Sequence, residues 1–524
     1  MAIDSRNQLA GTEAHYDVVV IGGGINGCGI AADAAGRGLS VMLAERSDLA
    51  SGTSSASSKL IHGGLRYLEQ YAFRLVAHSL AEREVLLANA PHIVWPLQFV
   101  VPHVPGMRSR LLMRAGLFLY DHLSRRQRLP RSGSIDLTRH AAARPLARSL
   151  EHGFEYWDCW VDDARLVVLV ARLAAEKGAR IATRTAVAKA RREGKRWHIA
   201  LRHGDGRAET ITAGALVNAA GPWAGRVARE VIEAPDAAPP VSVRLVKGSH
   251  IVVPRIAGAD CAYLCQAPDR RVVFVLPFAD AFTLIGTTDI PIGDNPDDAT
   301  VSAAEIDYLL GVINPFLATS LSAGDIVWRF AGVRPLASDG EVEGNPATAS
   351  RDYRLTIATT PQGAPLLTVV GGKVTTYRRL AQSALELLAP HLGRSIGPPW
   401  TAQAPLPGGD MPGADFATFA RAARERHPGF EAGVLETLLR RYGTEADAII
   451  GDARRLEDMG TYLGGGLTGR EVNHLVRKEW ATTPEDILWR RTKAGLRIPP
   501  ADMAAAEHKV AEAITAARMT VADN

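Results

Sequence analysis

The clearest chemical motif in the sequence is a set of three glycines, Gly22, Gly24 and Gly27, followed 18 residues later by Glu45. Gly22 permits a tight turn, Gly24 has no side chain to keep the backbone away from a pyrophosphate, and Gly27 allows a helix to pack closely on a strand. The helix would direct its N-terminal N–H groups at the phosphates. Since an acid at position 45 accepts hydrogen bonds from ribose hydroxyls and disfavours a 2′-phosphate, the motif predicts NAD or FAD rather than NADP.

The elements around this motif are those that it requires. Residues 18–21 are all apolar, which is typical of a strand buried on both faces. Residues 29–35 are mostly Gly and Ala and suit a helix that lies close to a sheet, and residues 39–44 form a second strand that ends at the acid. A GxGxxG pattern alone is a weak signal. Strand, turn, helix, strand and acid in this order predict a dinucleotide-binding unit.

A serine-rich stretch, residues 47–69, follows this unit and carries His62, Arg66 and Tyr67 beside a double glycine. Its hydroxyl and backbone groups are suited to wrapping a polar ligand. A flexible linker is the alternative interpretation, but linkers rarely carry His, Arg and Tyr beside two glycines. The stretch therefore predicts a loop that contacts both cofactor and substrate.

Two later segments predict further contacts with the same ligand. Residues 216–224 (LVNAAGPWA) are an apolar strand that ends in small residues. Residues 366–370 lead through Gly371 and Gly372 onto a helix N-terminus, a geometry suited to a second anion or a flavin carbonyl. A nicotinamide-binding domain needs no such closing strand and helix, so these segments favour FAD over NAD.

Residues 107–131 stand apart, because they contain seven arginines and only one acid, Asp121. Between the arginines lies a wide apolar helical face, a combination that suits a helix in an anionic membrane interface. A buried helix whose arginines reach solvent explains the same pattern equally well. The sequence alone leaves both interpretations open.

The composition is that of an ordinary globular protein, with 524 residues, 47% of them hydrophobic, and a net charge of +4. This length predicts two or three domains, and the near-balanced charge gives no reason to expect nucleic-acid binding. The four cysteines have no zinc-type spacing, so we expect no metal site and no disulfide framework. Without a signal region or a long apolar run, we expect a cytoplasmic protein or one peripheral on the cytoplasmic membrane.

In this order, the motifs resemble those of the FAD-dependent glycerol-3-phosphate dehydrogenases of the respiratory chain, within the D-amino-acid-oxidase-like flavoproteins. The motifs are, in chain order, IGGGINGCGIAADAAGRGLSVMLAE, SGTSSASSKLIHGGLRYLE, NAAGPWA, GTTD, GVRPL, SRDY, GGKVTTYR and EVNHLVRKEWATTPEDILWRRTKAGL. The dinucleotide unit alone would fit many flavoproteins. The serine-rich motif and the last motif make the resemblance specific.

The resemblance implies an α/β fold, α+β overall, with a Rossmann-like FAD-binding domain, an antiparallel-sheet cap domain and a helical C-terminal domain. The predicted boundaries are 1–90, 151–240 and 340–397 for the FAD-binding domain, 91–150 and 241–339 for the cap, and 398–524 for the helical domain. The last domain begins with a Pro/Gly-rich linker.

The resemblance also implies the reaction, which is oxidation of sn-glycerol 3-phosphate to dihydroxyacetone phosphate with hydride transfer from C2 to flavin N5. Electrons would pass to membrane quinone, and residues 107–131 would contact an anionic membrane surface. Three rivals remain: an oxidase of the same substrate that uses O2, an amine or 2-hydroxy acid oxidase, and a flavin-binding protein without turnover. The oligomeric state is not predicted, and a homodimer is one option.

In the resembling family the glycine-framed motifs converge on the flavin, which implies the site residues. Arg66, Tyr67 and Arg351 are assigned to the substrate phosphate or hydroxyls, and Arg334 and Lys373 to the reacting carbon. His62 is the expected base, with Lys373 as its rival. The expected cofactor-binding residues are Gly22, Gly24, Ile25, Asn26, Gly27, Glu45, Arg46, Ser54, Ser57, Ser58, Lys59, His62, Val187, Ala220, Gly221, Gly372, Lys373 and Thr375.

Overall fold

The structure is a computed structural model that describes residues 13–124, 128–234, 243–337, 353–360 and 363–522. Arg351, and Arg125 and Arg126 of the arginine-rich segment, lie outside the described residues. The strands of the described residues are β1 Ala14–Ile21, β2 Val41–Ala44, β3 Leu60–Ile61, β4 Val94–Pro102, β5 Gly133–Asp136, β6 His152–Val161, β7 Arg180–Ala182, β8 Thr185–Glu193, β9 Arg196–His203, β10 Ala208–Asn218, β11 Ile232–Glu233, β12 Val243–Pro254, β13 Ala262–Gln266, β14 Val272–Phe278, β15 Phe282–Gly286, β16 Ile290–Pro291, β17 Trp328–Ala337, β18 Arg354–Thr360, β19 Gly363–Val370, β20 Tyr462–Gly464 and β21 Leu467–Thr468.

The α-helices of the same residues are distributed between the sheets and the C-terminal region. They are α1 Ile25–Gly36, α2 Phe73–Asn89, α3 Arg110–His122, α4 Asp163–Glu176, α5 Ala224–Glu230, α6 Ala303–Ile313, α7 Tyr377–Leu388, α8 Phe416–Arg426, α9 Ala432–Tyr442, α10 Ala446–Ile450, α11 Gly469–Glu479 and α12 Met503–Ala522. None of these helices is long and apolar enough to cross a membrane.

The first sheet contains the predicted dinucleotide unit. β1 pairs in parallel with both β2 and β10, and β10 pairs in parallel with β19. An antiparallel meander of β8, β9 and β10 extends the sheet. Val18 and Val20 are fully buried against α1, α4 and α7, whereas Val19 is buried on the other face among Trp197, Ile199 and their neighbours. The Rossmann-like prediction for this part of the chain is confirmed.

The second sheet has ten strands and forms the cap. Its central order is β16-β12-β15-β14-β13-β4-β6-β3, with β17 added beside β12 and β5 beside β6. Its pairs are antiparallel except for β4 with β13. The sequence placed residues 151–161 with the FAD-binding segments, but β6 pairs with β4 from Gly153 to Val161. A strand with apolar residues on both faces fits either sheet, and its partner decides where it belongs.

The C-terminal region is helical, as predicted, apart from the short β20–β21 hairpin. It is joined to the first sheet by buried ion pairs. Arg491 Nη1 lies 2.7 Å from Asp48 Oδ2, and Arg165 of α4 is paired with Glu479 of α11. Each of these four side chains is at most 1% exposed. A buried charge is stable only when it is paired, so this contact fixes the helical region to the loop that follows β2.

Parallel strands bring their carboxyl ends to one edge of the sheet. Ile21, Asn218 and Thr368 lie in register across β1, β10 and β19, and each strand ends in a glycine- or alanine-rich turn beyond this line. Ligands of open α/β sheets bind outside such carboxyl ends. The fold therefore directs three of the predicted motifs towards one place.

A cavity between the two sheets

A cavity of about 980 Å³ lies where these carboxyl ends face the cap. Its walls come from the turns after β1, β10 and β19, from the serine-rich loop, and from β12 and β17 of the cap. Ligand cavities in proteins commonly enclose about 300–1,000 Å³. The space is therefore large enough for a dinucleotide.

The glycine motif has the geometry that was predicted for it. Gly22 has a φ of +111°, and a Cβ atom on it would lie 2.6 Å from the carbonyl oxygen of Ala219. A Cβ on Gly27 would lie 2.0 Å from the carbonyl oxygen of Gly22. Gly24 directly precedes α1, whose first N–H, that of Ile25, donates to Ser54 Oγ at 3.0 Å. The N-terminus of α1 therefore meets the serine-rich loop at the cavity wall.

Glu45 lies at the cavity wall after β2. Its carboxylate accepts hydrogen bonds from the N–H of Gly23 and the N–H of Ser47, both at 2.7 Å. Burial raises the pKa of Glu45, and these two N–H groups partly offset that effect. Each carboxylate oxygen can accept more than one hydrogen bond. Glu45 is thus placed both to hold the glycine turn and to receive a ribose hydroxyl.

The residues at the junction of α1 and α7 fit a dinucleotide. Asn26 Nδ2 donates to the carbonyl of Gly371 at 3.0 Å, while its Oδ1 is buried and has no hydrogen-bond partner among the described residues. Gly371 and Gly372 have φ values of +77° and +96°, which a side chain would disfavour. A buried acceptor without a donor is unfavourable unless a ligand supplies one. A hydroxyl or N–H group of a bound flavin dinucleotide would satisfy it.

At the cap end, the cavity collects the side chains expected to do chemistry. Arg334 of β17 places Nη1 2.5 Å from Asp289 Oδ1 and Nη2 3.3 Å from Thr287 Oγ1. Lys373 places its ammonium 3.8 Å from the centre of the Tyr67 ring. His62 also lines the cavity, and its backbone N–H donates to Thr375 Oγ1 at 3.3 Å. The fold thus brings together side chains that are more than 300 residues apart in sequence.

Most of the expected site residues line this one cavity. They are Gly22, Gly24, Ile25, Asn26, Glu45, Arg46, Ser54, Ser57, Ser58, His62, Tyr67, Val187, Ala220, Gly221, Arg334, Gly372, Lys373 and Thr375. Gly27 packs behind the wall against Gly22. Arg66 is half-buried on the turn Leu65–Gln70 and is not among the lining residues.

Lys59 was expected to bind the cofactor, but its side chain is directed away from the cavity. It is fully buried, and its Nζ lies 2.8 Å and 3.0 Å from the two carboxylate oxygens of Asp163 and 2.9 Å from the carbonyl of Ser55. Burial lowers the pKa of Lys59, and the Asp163 charge opposes that effect. Asp163 also accepts from Ser57 Oγ at 2.7 Å. Lys59 therefore supports the serine-rich loop from behind.

Several lining residues were not predicted as site residues, among them Gly248 of β12, Thr287 and Trp223. A Cβ on Gly248 would lie 2.6 Å from Thr287 Oγ1 and 2.9 Å from Arg334 Nη2, so a side chain there would disturb both groups. The GTTD and NAAGPWA motifs that contain Thr287 and Trp223 were the available signals. No local pattern distinguishes Gly248 from other strand glycines.

Glu305 of α6 supports this end of the cavity from the cap core. It accepts hydrogen bonds from Ser249 Oγ at 2.7 Å and Thr288 Oγ1 at 2.9 Å, and it pairs with Lys247 at 2.7 Å. Although burial acts in the opposite direction, the bonds from Lys247, Ser302 and their neighbours lower the pKa of Glu305 to about 2. The ionised carboxylate thus holds the segment that contains Thr287 and Thr288.

We expect Glu305→Gln to lower the free energy of unfolding by about 2 kcal/mol at neutral pH, because charge-assisted hydrogen bonds are lost. A carboxyl group with a lowered pKa stabilises the fold above its unfolded pKa of about 4.3 and loses this effect as the pH falls towards its folded value. The difference between wild type and variant should therefore shrink below about pH 4. Denaturant unfolding across this pH range measures it, and a difference that grows at low pH would contradict the assignment.

Two family models match the chain. The model for FAD dependent oxidoreductases covers residues 17–378, and the model for the C-terminal domain of α-glycerophosphate oxidase covers residues 399–518. The first range spans both sheets and the cavity, and the second spans the helical region. FAD is therefore the cofactor, in agreement with the sequence prediction and with the fit of the cavity.

Similar proteins cover almost the whole chain. A glycerol-3-phosphate dehydrogenase of Pseudomonas aeruginosa is 50% identical over 93% of this chain and 93% of its own. A D-erythritol 1-phosphate dehydrogenase of Brucella abortus is 49% identical over 93% of this chain and 96% of its own. The crystal structure of the glycerol-3-phosphate dehydrogenase from Bacillus halodurans complexed with FAD has the same fold, with a TM-score of 0.71, 24% identity, and coverage of 95% and 94% of the two chains.

These matches agree with the resemblance seen in the sequence, and they cover both sheets and most of the helical region. The chain belongs to the FAD-dependent oxidoreductase family, in the branch that carries the C-terminal domain of α-glycerophosphate oxidase and includes the glycerol-3-phosphate dehydrogenases.

Proposed function

We propose that the protein oxidises sn-glycerol 3-phosphate to dihydroxyacetone phosphate at the cap end of the cavity. The observation that supports this most is the pair of cationic side chains, Arg334 and Lys373, that line the cavity where the two sheets meet. Removal of a hydride and a proton from an alcohol builds negative charge on its oxygen, and fixed cations beside the reacting carbon stabilise that charge. The relative from P. aeruginosa is named for this substrate.

In this proposal Arg334 and Lys373 stabilise the negative charge that forms on the C2 oxygen of the substrate. Thr287 and Asp289 fix the orientation of the Arg334 guanidinium. The phosphate is assigned to Tyr67 and Arg351, the second of which lies outside the described residues. Arg66 is not proposed to bind the phosphate, because it does not line the cavity.

His62 is the proposed base for the C2 hydroxyl proton. An imidazole has an ordinary pKa of about 6.5, which suits proton removal near neutral pH. Lys373 is the rival candidate, because its Nζ lies at the same end of the cavity, 3.8 Å from the centre of the Tyr67 ring. Bound FAD supplies the hydride acceptor, which the sequence prediction places at flavin N5.

Membrane quinone is the proposed acceptor of the electrons, and α3 is the proposed contact with the membrane. Leu111 is 83% exposed and Phe118 57% exposed, whereas Leu117 and Tyr120 on the same helix are buried. An exposed apolar face on a helix is unfavourable in water unless another apolar phase covers it. This supports a peripheral position on the anionic, cytoplasmic surface of the membrane.

Replacing Leu111, Leu112 and Phe118 together by Ser should release the protein from anionic phospholipid vesicles. Each exposed side chain contributes about 1–2 kcal/mol when it leaves water, so we expect the partition coefficient to fall by at least about tenfold. Co-sedimentation with vesicles measures it. Leu387→Ser, which alters a 39% exposed residue on α7, is the matched control. Unchanged sedimentation of the triple variant would exclude α3 as the contact.

Anaerobic mixing with glycerol 3-phosphate tests the proposed reaction. Loss of the visible flavin absorbance is expected, and dihydroxyacetone phosphate should form in an amount equal to the bound FAD. Absence of both would reject the proposal in favour of a flavoprotein without this activity. Reoxidation by a soluble quinone without peroxide supports the quinone acceptor, whereas stoichiometric peroxide in air without quinone supports the oxidase alternative.

A second substrate is favoured by one observation. The relative from B. abortus, named for D-erythritol 1-phosphate, is almost as similar as the relative named for glycerol 3-phosphate. Both compounds present a phosphate monoester and hydroxyl groups, and they differ by one hydroxylated carbon. Faster anaerobic bleaching by D-erythritol 1-phosphate than by glycerol 3-phosphate would assign the protein to the longer substrate.

A further inference from the structure

One loop of the cap reaches across the cavity to the FAD-binding part of the chain. This cap loop, residues 292–302, connects β16 to α6. Its Asp297 lines the same cavity as Arg46, Trp223 and Arg226, which belong to the turn after β2 and to the region after β10. The loop therefore joins the two sheets at the end of the cavity where Glu45 lies.

The Asp297 carboxylate is held by three separate donors. Trp223 Nε1 donates to Oδ1 at 3.1 Å, Arg226 Nη2 donates to Oδ2 at 3.0 Å, and Arg46 Nη2 lies 3.4 Å from Oδ1. The Arg46 guanidinium also lies 4.6 Å from the centre of the Trp223 ring. One cap carboxylate thus ties together three side chains of the FAD-binding part.

Trp223 connects this cluster to the serine-rich loop. A Cβ on Gly52 would lie 3.0 Å from its ring, so the loop packs against the indole without a side chain between them. Residues of the cluster, of the serine-rich loop and of the turn after β2 all line this end of the cavity, and together they are called the rim. The contacts between the cap loop and the rim therefore lie directly beside the space of the cavity.

We propose that Asp297 is a positioning residue that retains FAD, by closing the cap loop over the end of the cavity next to Glu45. It does not need to touch the cofactor for this role. Its effect acts through Trp223, Arg46 and Arg226, which it holds against the rim. This inference depends on FAD being the cofactor and not on the identity of the substrate.

The contacts of Asp297 with Arg46 and Trp223 should respond differently to salt and to substitution. Both Asp297 and Arg46 are nearly half exposed, so their attraction is screened by salt, whereas the indole hydrogen bond is not. The amide of Asn at position 297 keeps an oxygen acceptor for the Trp223 N–H but loses the charge. The release rate of FAD should therefore rise from wild type to Asp297→Asn and rise further in Asp297→Ala.

The test uses the holoenzyme. Each protein is diluted, and the release of FAD is followed by the rise in flavin fluorescence as the cofactor leaves the protein. We expect the rate to increase about five- to tenfold in Asp297→Ala and by an intermediate factor in Asp297→Asn. Raising the ionic strength should accelerate release from wild type more than from either variant.

Asp294→Ala is the matched control, because Asp294 is an exposed acid of the same loop. It should release FAD at the wild-type rate. The proposal is overturned if Asp297→Ala releases FAD no faster than wild type, if Asp294→Ala releases it as fast as Asp297→Ala, or if salt affects wild type and Asp297→Ala equally. The measurement follows FAD release and does not depend on activity with glycerol 3-phosphate. A protein that fails to oxidise glycerol 3-phosphate would therefore still test the role of Asp297.

Discussion

Arg334→Ala should lower kcat/KM for glycerol 3-phosphate by about a thousandfold while FAD remains bound. A guanidinium fixed beside the reacting oxygen stabilises charge that develops only in the transition state, and losing such a donor costs about 10²–10³ in rate before any loss of binding is added. Arg334 is well placed for this role because Asp289 and Thr287 orient it from the cap. Steady-state kinetics with a quinone acceptor and the visible flavin spectrum are the two measurements.

Arg329→Ala is the control for this variant. Arg329 lies on the same strand, β17, but it is exposed and lies outside the cavity wall. It should leave kcat/KM within about twofold of wild type, as is usual for surface substitutions. Arg334→Lys should recover only part of the lost rate, because an ammonium cannot reproduce bidentate geometry. Near-normal turnover in Arg334→Ala would remove Arg334 from the active site.

Gly27→Ala should abolish stable FAD binding. The new methyl group would lie 2.0 Å from the carbonyl oxygen of Gly22, so α1 must move away from the turn after β1. The helix N-terminus and the glycine turn bind the pyrophosphate together, so we expect FAD affinity to fall by at least about a hundredfold. The ratio of flavin to protein absorbance after purification measures the loss.

Gly311→Ala is the matched control, because this glycine lies in α6 with open space where its Cβ would be. It should bind FAD as wild type does. Circular dichroism separates loss of cofactor from loss of fold. A Gly27→Ala protein that keeps a full complement of FAD would show that the close contact between α1 and the turn is not needed for binding.

Several features of this fold were predictable because they depend on neighbours along the chain. The spacing of apolar residues predicts helices over 71–90 and 164–178 and a strand over 95–104, and the structure has α2, α4 and β4 in these places. Periodicity of apolar residues reports local structure directly. The dinucleotide unit was predictable for the same reason, since strand, turn, helix and acid all lie within 30 residues.

Partnerships across the chain were not predictable in this way. Residues 152–161 form a largely buried strand, yet residues 153–161 of it pair with β4 in the cap. Hydrophobic pattern says that such a strand is buried, and it does not say which strand lies beside it. The sequence therefore predicted a strand-rich cap, but its predicted boundary left residues 151–161 in the FAD-binding domain, whereas the strand that they contain belongs to the cap sheet.

The direction in which a charged side chain points could not be predicted from the residues around it in the sequence either. Lys59 lies among serines that line the cavity, but its ammonium is directed to Asp163, 104 residues later in the sequence. A buried ammonium goes where a carboxylate neutralises it, and the position of that carboxylate is set by packing of α4. Asp297 shows the same limit for a carboxylate, because its partner Arg46 precedes it by 251 residues in the sequence.

The sequence by itself determined the cofactor, the family and most of the segments that line the cavity. Glycines at fixed spacing, an acid after the second strand and a serine-rich loop can each be recognised within a short stretch of sequence, because neighbouring residues supply the contacts that the dinucleotide needs. The tertiary structure alone decided which charged residues face the cavity, which support it from behind, and which cap carboxylate contacts the FAD-binding part at its end. These outcomes depend on the pairing of charges and strands that only the folded chain brings within contact distance.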